Sequence, residues 1–304
     1  MPPPAAIVVI VNSSAGTAAK RERIEVELAD LFRAAGSPAE VIALQRGQDP
    51  AAVAREASAR ASIVVAAGGD GTVSSVAAAV VDSTAALGVL PLGSLNHFAK
   101  DLHIPLDLAD AIKVVAAGHI GHVDAGQVND RVFVNNSSIG LYPSIVEERE
   151  ALRRRGHRKW PAMALATIRV VRKYRGVTVS VDIDGRRQTW RTPFVFIGNN
   201  HYTLQGFAAG SRPRLDEGVL SVYVLRPQTL FGFLRLALRA MLGRVSPDQD
   251  FEAFTAGELR VESSRAQVEV ALDGEVASFD TPLQYRLRPR ALQVLVPATG
   301  DGSR

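Results

Sequence analysis

The run Gly68-Gly69-Asp70-Gly71-Thr72 combines residue types that could receive an anion. Three glycines remove the Cβ atoms that keep a phosphate away from the backbone. The run follows the apolar, β-branched stretch Ile63-Val64-Val65 and precedes the small-residue stretch Ser74 to Val80, whose composition predicts a helix. Backbone N–H groups gather at such a strand-to-helix junction, and the first helical turn favours negative charge. Asp70 repels an anion by its own charge, so its chemistry is that of a metal partner or of an anchor that accepts backbone N–H groups. Taken alone, the run is equally compatible with a turn that binds nothing.

Three further segments offer complementary chemistry. Asn12-Ser13-Ser14-Ala15-Gly16 follows the first predicted strand and presents hydroxyls, an amide and backbone donors that could line a nucleotide; a capped turn is the plainer reading. In Pro91-Leu92-Gly93-Ser94-Leu95-Asn96-His97-Phe98-Ala99, Ser94 could donate to a phosphate or cap the next helix. In Leu272-Asp273-Gly274-Glu275, Asp-Gly between two apolar runs is first of all a hairpin turn. Its chemical reading is a carboxylate at a loop tip that reaches across a cleft to accept a hydroxyl proton.

The scaffold for these segments is legible in the alternation of apolar runs. Over the first part of the chain, strands are predicted at Ile7–Val11, Glu40–Leu44, Ile63–Ala67 and Leu87–Leu90. Helices are predicted between and after them at 18–35, 50–59, 72–81 and 107–117. That βαβα order predicts a parallel sheet with helices on both faces, which takes ligands beyond the carboxyl ends of its strands. After Gly118 the pattern changes. Runs at 123–128, 131–136, 177–183, 186–191, 194–197, 219–225, 257–263, 268–272 and 283–287 predict mostly antiparallel strands, with hairpin signals at Asn129-Asp130 and Asp184-Gly185. Helices are predicted at 144–155, 162–174 and 230–242. The expected fold class is α/β plus β. An α/β nucleotide-binding domain over 1–122 precedes a β-rich antiparallel sandwich domain over 123–290, and a terminal strand at 291–297 could return to the first domain.

The chain has 304 residues, 47% of them hydrophobic and 22% charged, with a net charge of +4 and no cysteine. Disulfides and thiolate metal sites are therefore excluded, and a reducing cytoplasm is compatible. No apolar run approaches the ~20 residues of a membrane span. Common nucleotide fingerprints of the P-loop and G-x-G-x-x-G kinds are missing, as is an H-E-x-x-H zinc motif. From Glu147 to Arg175 ten Lys/Arg stand against three Glu, beside Trp160 and an apolar stretch. This composition suits an anionic membrane surface, or simply a solvated basic helix. Nothing accompanies the charge to suggest nucleic acid.

Taken together, Asn12–Gly16, Gly68–Thr72, Pro91–Ala99 and Asp273-Gly274-Glu275 stand in the order and rough spacing of the diacylglycerol kinase catalytic-domain family, which the chain resembles over nearly its whole length. It is similar also to sphingosine and ceramide kinases. The resemblance implies ATP and Mg²⁺ and a lipid hydroxyl as acceptor (most directly that of diacylglycerol, giving phosphatidic acid); the expected location is cytoplasmic, with peripheral contact at the inner membrane surface through the basic segment from Arg153 to Arg175. It implies that Asn12, Ser13, Ser14, Ala15, Gly16, Gly68, Gly69, Asp70, Gly71, Thr72, Val73, Ser74, Ser94 and Asn96 contact the nucleotide. Asp70 would act in catalysis, and Asp273 or Glu275 would be the general base. The family's structural Mg²⁺ site maps onto Arg214, Asp216, Glu217 and Val219, with Glu217 where relatives usually carry Asp. The rival expectations are an NAD kinase, which shares a Gly-Gly-Asp-Gly-Thr loop, and a non-catalytic lipid- or nucleotide-sensing protein on the same scaffold.

Overall fold

The structure is a computed structural model and describes residues 6–12, 18–140, 177–183, 186–192, 194–203, 211–226, 251–263 and 265–298. The helices expected at 144–155, 162–174 and 230–242, and the turn Asp184-Gly185, lie outside the described residues. The chain divides into two compact units, 1–125 with 288–304, and 126–287.

The first unit begins with β1 (Ile7–Val11), α1 (Ala18–Ala34), β2 (Ala39–Ala43), α2 (Pro50–Ser58), β3 (Ile63–Gly68) and α3 (Asp70–Val80). It continues with β4 (Ala86–Pro91), α4 (His97–Asp101) and α5 (Leu108–Ala117). β1 and β4 are buried at every position, as a strand covered on both faces must be, so their side chains are continuously apolar. The sheet order is β2-β1-β3-β4 with parallel neighbours throughout. The helices between them start where the chain supplies caps. Asp49 accepts the N–H of Ala51 ahead of α2, and Asp107 accepts that of Asp110 ahead of α5. The chain returns at the end, where Val294 aligns in parallel with Leu87 of β4.

The second unit is antiparallel. Its strands are β5 (Ile120–Val128), which begins in the first unit, β6 (Arg131–Phe133), β7 (Asn136–Gly140), β8 (Val177–Ile183), β9 (Arg186–Thr192), β10 (Phe194–Asn199) and β11 (Leu220–Leu225). They continue with β12 (Phe251–Ala256), β13 (Glu258–Glu262), β14 (Gln267–Leu272), β15 (Glu275–Asp280) and β16 (Leu283–Leu295), which ends in the first unit. One sheet has the order β12-β11-β10-β7-β14-β15. Its inward residues, among them Ile139, Ile197, Val222 and Val270, share a core with Phe133, Leu259, Val261 and Tyr285 from β6, β13 and β16. Tyr285 is the largest fully buried side chain in this core. Its hydroxyl finds a partner in Ser137 Oγ at 2.9 Å, and burial pushes the phenol well above its ordinary pKa, so it remains neutral.

Two strand expectations change. The run 131–136 is not one strand but β6 and β7, broken at Val134-Asn135, where backbone N–H groups turn to a side chain described below. The runs at 283–287 and 291–296 join into β16. At Arg290 (φ 50°) the backbone N–H leaves the ladder for the carboxylate of buried Asp124 at 2.7 Å, which lets the strand continue past Pro289.

Candidate active site

In the first unit three loops meet at the carboxyl ends of β1, β3 and β4. The N–H of Asn12 bonds to the carbonyl of Ala67 at 3.0 Å, and the Asn12 amide donates to Thr72 Oγ1 at 3.0 Å. The N–H of Leu92 bonds to the carbonyl of Gly68 at 3.0 Å. Gly93 packs on Gly69 so closely that a Cβ at 93 would lie 2.5 Å from the Gly69 Cα and 2.7 Å from Asn96 Oδ1. Only glycine fits there. Likewise a Cβ at Gly68 would collide with Thr72 at 2.8 Å, so the tight exit of β3 demands glycine as well.

Asp70 sits in the first turn of α3, yet it serves the neighbouring loop. Its Oδ1 accepts the backbone N–H of His97 at 2.7 Å, at the start of α4. Asn96, just before that helix, is buried and in the left-handed region (φ 51°). Its Oδ1 accepts the N–H of Gly93 at 3.0 Å and its Nδ2 donates to the carbonyl of Gly93 at 2.9 Å. The Asn96 amide is thus engaged within its own loop. Ser94 is exposed. Ser13, Ser14, Ala15 and Gly16 lie outside the described residues.

The helix that Asp70 opens has Gly69 as its cap residue, with no side-chain cap bond. Its leading N–H groups therefore lack the usual side-chain acceptor at the cap position. Ser74 Oγ, in the same region, is buried and has no hydrogen-bond partner among the described residues. Uncapped N–H groups bordered by glycines are the arrangement that accepts a phosphate group.

In the second unit Asp273 (φ 48°) and Gly274 (φ 92°) form the two-residue turn between β14 and β15, with Leu272 paired to Glu275. Left-handed angles at both positions are those of a type I′ hairpin, which explains the Asp-Gly pair. The Asp273 carboxylate is heavily engaged. Oδ1 accepts the N–H groups of Asn135 at 2.8 Å and Asn136 at 2.9 Å, and Oδ2 accepts that of Val134 at 2.9 Å. These bonds break the β6–β7 run. The opposite side of the same segment is held by Arg212, which is buried. Its Nη1 donates to the carbonyl of Val134 at 2.6 Å, and its Nη2 to Asn135 Oδ1 at 2.7 Å. Glu275, by contrast, is exposed at the start of β15.

The residues mapped to a structural cation have protein partners. Asp216 Oδ1 accepts Arg214 Nε at 3.1 Å. Glu217 Oε2 accepts the backbone N–H of His201 at 3.0 Å and lies 2.7 Å from His201 Nδ1. The Val219 carbonyl accepts the N–H of Asn200 at 2.9 Å. Burial pushes the Glu217 carboxyl up, but the His201 backbone N–H, the His201 ring and Arg214 together hold it below the usual carboxylate range. No grouping of three or more His, Asp or Glu able to hold a metal ion occurs among the described residues.

Residues 6–128 match the diacylglycerol kinase catalytic domain, and residues 142–296 match the YegS C-terminal NAD kinase beta sandwich-like domain. The chain carries a diacylglycerol kinase catalytic domain followed, over half its length, by the YegS-type C-terminal domain. This places it among the lipid kinases, with an N-terminal α/β domain and a C-terminal antiparallel β-sandwich domain. Among curated relatives, the kinase is 27% identical to a diacylglycerol kinase of Bacillus subtilis, over 88% of each chain. It is 28% identical to the protein sll0036 of Synechocystis over 78% of its own residues, and spans 55% of that protein's length. A crystal structure of a diacylglycerol kinase from Bacillus anthracis superposes with a TM-score of 0.68 at 19% identity, covering 96% of the kinase and 97% of that chain.

Within the kinase, Asn12, Gly68–Ser74, Ser94 and Asn96 share the three loops of the first unit. Asp273 and Glu275 share one hairpin of the second. Sequence reasoning missed Arg212, His97 as the partner of Asp70, and the pairing of His201 with Glu217. The paired asparagines Asn135-Asn136 and Asn199-Asn200 are the visible clue, since polar doublets beside apolar strands seldom sit there without a network to join. No comparable signal marks Arg212.

Proposed function

We propose that the kinase transfers the γ-phosphoryl group of ATP to a lipid hydroxyl, and that diacylglycerol is the acceptor, giving phosphatidic acid. The observation that carries this reading is the interlocked glycine loop, where α3 starts at Gly69 without a side-chain cap and Gly93 packs against Gly69 with no room for a Cβ. The choice of diacylglycerol rests on what the relatives are named.

In this reading Gly68–Gly71 and the first turn of α3 hold the triphosphate through backbone N–H groups, while Asn12 holds Thr72 in place. Asp70 keeps the second loop seated by its bond to His97. Its carboxylate is also a hard oxygen donor of the kind that suits Mg²⁺ accompanying ATP, which keeps several waters and needs only one or two carboxylates. Bound Mg²⁺ supplies neutralisation of charge on the phosphate oxygens. The lipid hydroxyl oxygen forms a bond to the γ-phosphorus as the bond to the bridging oxygen of ADP breaks, and its proton passes to a carboxylate. The three N–H bonds already on Asp273 support Glu275 as that acceptor and Asp273 as the group that fixes the turn carrying it, since oxygens saturated with N–H donors take up a proton poorly.

The acceptor is tested by supplying γ-labelled ATP with diacylglycerol, sphingosine, ceramide and NAD in parallel. Label in phosphatidic acid is expected. Label only in another acceptor reassigns the substrate, and label in none favours a sensing protein.

A further inference from the structure

We propose that the contact between Glu217 and His201 takes the place of a structural divalent cation in the second unit, so that this loop region is locked by protein groups alone. The family resemblance maps a Mg²⁺ site onto Arg214, Asp216, Glu217 and Val219, but this donor set does not fit one. Mg²⁺ demands a near-octahedral oxygen shell at about 2.0–2.1 Å. Here the Asp216 oxygen is engaged by the Arg214 guanidinium, and Glu217 Oε2 by two nitrogens of His201. A cation would have to displace both partners and would meet the Arg214 charge nearby.

The protein contacts do the work a cation would do. A carboxylate only accepts hydrogen bonds, so the His201 ring presents Nδ1–H to Glu217, and ring and backbone N–H together grip one oxygen. Glu217 is also tied through its own N–H to Asn200 Oδ1 at 3.0 Å, and the N–H of Asn200 returns to the Val219 carbonyl. Residues 200–201 and 217–219 are thereby stapled at three points. Glutamate has the reach for this where aspartate, one methylene shorter, does not.

The lock bears on the hairpin that carries Glu275. Asn199, next to the stapled pair, donates from Nδ2 to the carbonyl of Val134 at 3.0 Å. Arg212 donates to that same carbonyl, and Asp273 accepts N–H groups from the same segment. The proposal concerns the cation beside Glu217 only; it is independent of any Mg²⁺ that travels with ATP, and its test does not use turnover.

The test is thermal unfolding of the full chain without nucleotide, in millimolar Mg²⁺ and in chelator, alongside titration with Mn²⁺ as the probe ion. Wild type, Glu217→Gln, His201→Gln and the double variant are compared. Each single variant is expected to lower the midpoint by about 2–4 °C, the scale for a loss of this size in a domain of this length. The double variant should lower it by less than the sum of the singles, because both weaken the same ring–carboxylate contact. Mg²⁺ should shift wild type and Glu217→Gln equally or not at all. A Mg²⁺-dependent rise or a bound Mn²⁺ that Glu217→Gln abolishes overturns the proposal, as does strict additivity of the two single variants. If Glu217→Gln does not fold, Glu217→Ala takes its place in the metal comparison.

Discussion

Oδ1 of Asp70 accepts the backbone N–H of His97 at 2.7 Å, joining residues 27 positions apart. The glycine loop and the loop after β4 are therefore one mechanical unit. An aspartate in a phosphate-binding turn looks misplaced on charge grounds alone. Its position makes sense once its oxygen is seen to close the neighbouring loop.

This gives Asp70 two separable roles. Asp70→Asn retains an oxygen for the His97 N–H but removes the charge. It is expected to fold with nearly unchanged stability and to lose about 10²-fold or more in turnover, within the range of positioned catalytic groups. Asp70→Ala should lose turnover and also about 1–3 kcal/mol of stability, the cost of stranding a charge-assisted hydrogen bond. Steady-state kinetics and denaturant unfolding on the same preparations check both.

Asn96 should matter through shape. Asn96→Gly keeps access to the left-handed backbone at φ 51° but forfeits the bonds to Gly93. The expected outcome is a raised KM for ATP with a modest fall in kcat. Asn96→Ala should be worse, because it adds left-handed strain of about 1 kcal/mol to the same loss. Direct nucleotide-binding titrations separate the two.

Asp273 and Glu275 should respond differently to neutral replacement. Glu275 is exposed, so Glu275→Gln is expected to leave the melting temperature alone and cut kcat by about 10²-fold or more. Asp273→Asn puts an amide N–H against backbone N–H groups, so it should destabilise the second unit by about 2 kcal/mol or more as well as reduce activity. A melting curve beside each rate measurement shows the contrast.

Arg288 secures the last strand to the first unit through a short contact with Asp82. The Arg288 hydrogen bond holds the Asp82 carboxyl below its ordinary value against the opposing push of burial. A depressed folded-state pKa stabilises at pH values above the unfolded value of about 3.9 and is lost as pH falls through the folded value. Asp82→Asn should therefore cost up to about 1 kcal/mol at neutral pH, small because the Asp82 side chain is 74% exposed, and the gap to wild type should close under acid. Unfolding at neutral pH and near pH 3 measures it.

The basic stretch around Arg153-Arg154-Arg155 and Trp160 leads to one expectation about partners. Vesicles rich in anionic lipid should retain the kinase at low salt and release it as ionic strength rises. Sedimentation with vesicles across a salt series checks it.

Much of the first unit was legible because β1 and β3 open on β-branched runs, β4 is apolar throughout, and its helices carry Asp caps or a glycine stop, as at Asp49, Asp107 and Gly118. The strand order of the second unit was not, since hairpin signals reveal only consecutive pairs, and the joins β7–β10, β7–β14, β8–β13 and β13–β16 link strands far apart in sequence. β12 and β15 went unseen because their sequences, Phe251–Ala256 and Glu275–Asp280, mix exposed and part-buried positions without a clean alternation. The break at Val134-Asn135 was invisible for a different reason: its cause, Asp273, lies 139 residues away in sequence from Val134. The glycine loop could be read as an anion site from local chemistry. The engagement of Asn96 with its own loop, and of Glu217 with His201, depends on side-chain geometry that spacing does not encode.

Transfer of label from γ-labelled ATP into the lipid phase by the purified kinase, with Asp70→Asn run beside it, tests the central claim most directly. The account predicts labelled phosphatidic acid from diacylglycerol, reduced about 10²-fold or more by the substitution. Label appearing in NAD instead, or lipid labelling that Asp70→Asn leaves untouched, would contradict it.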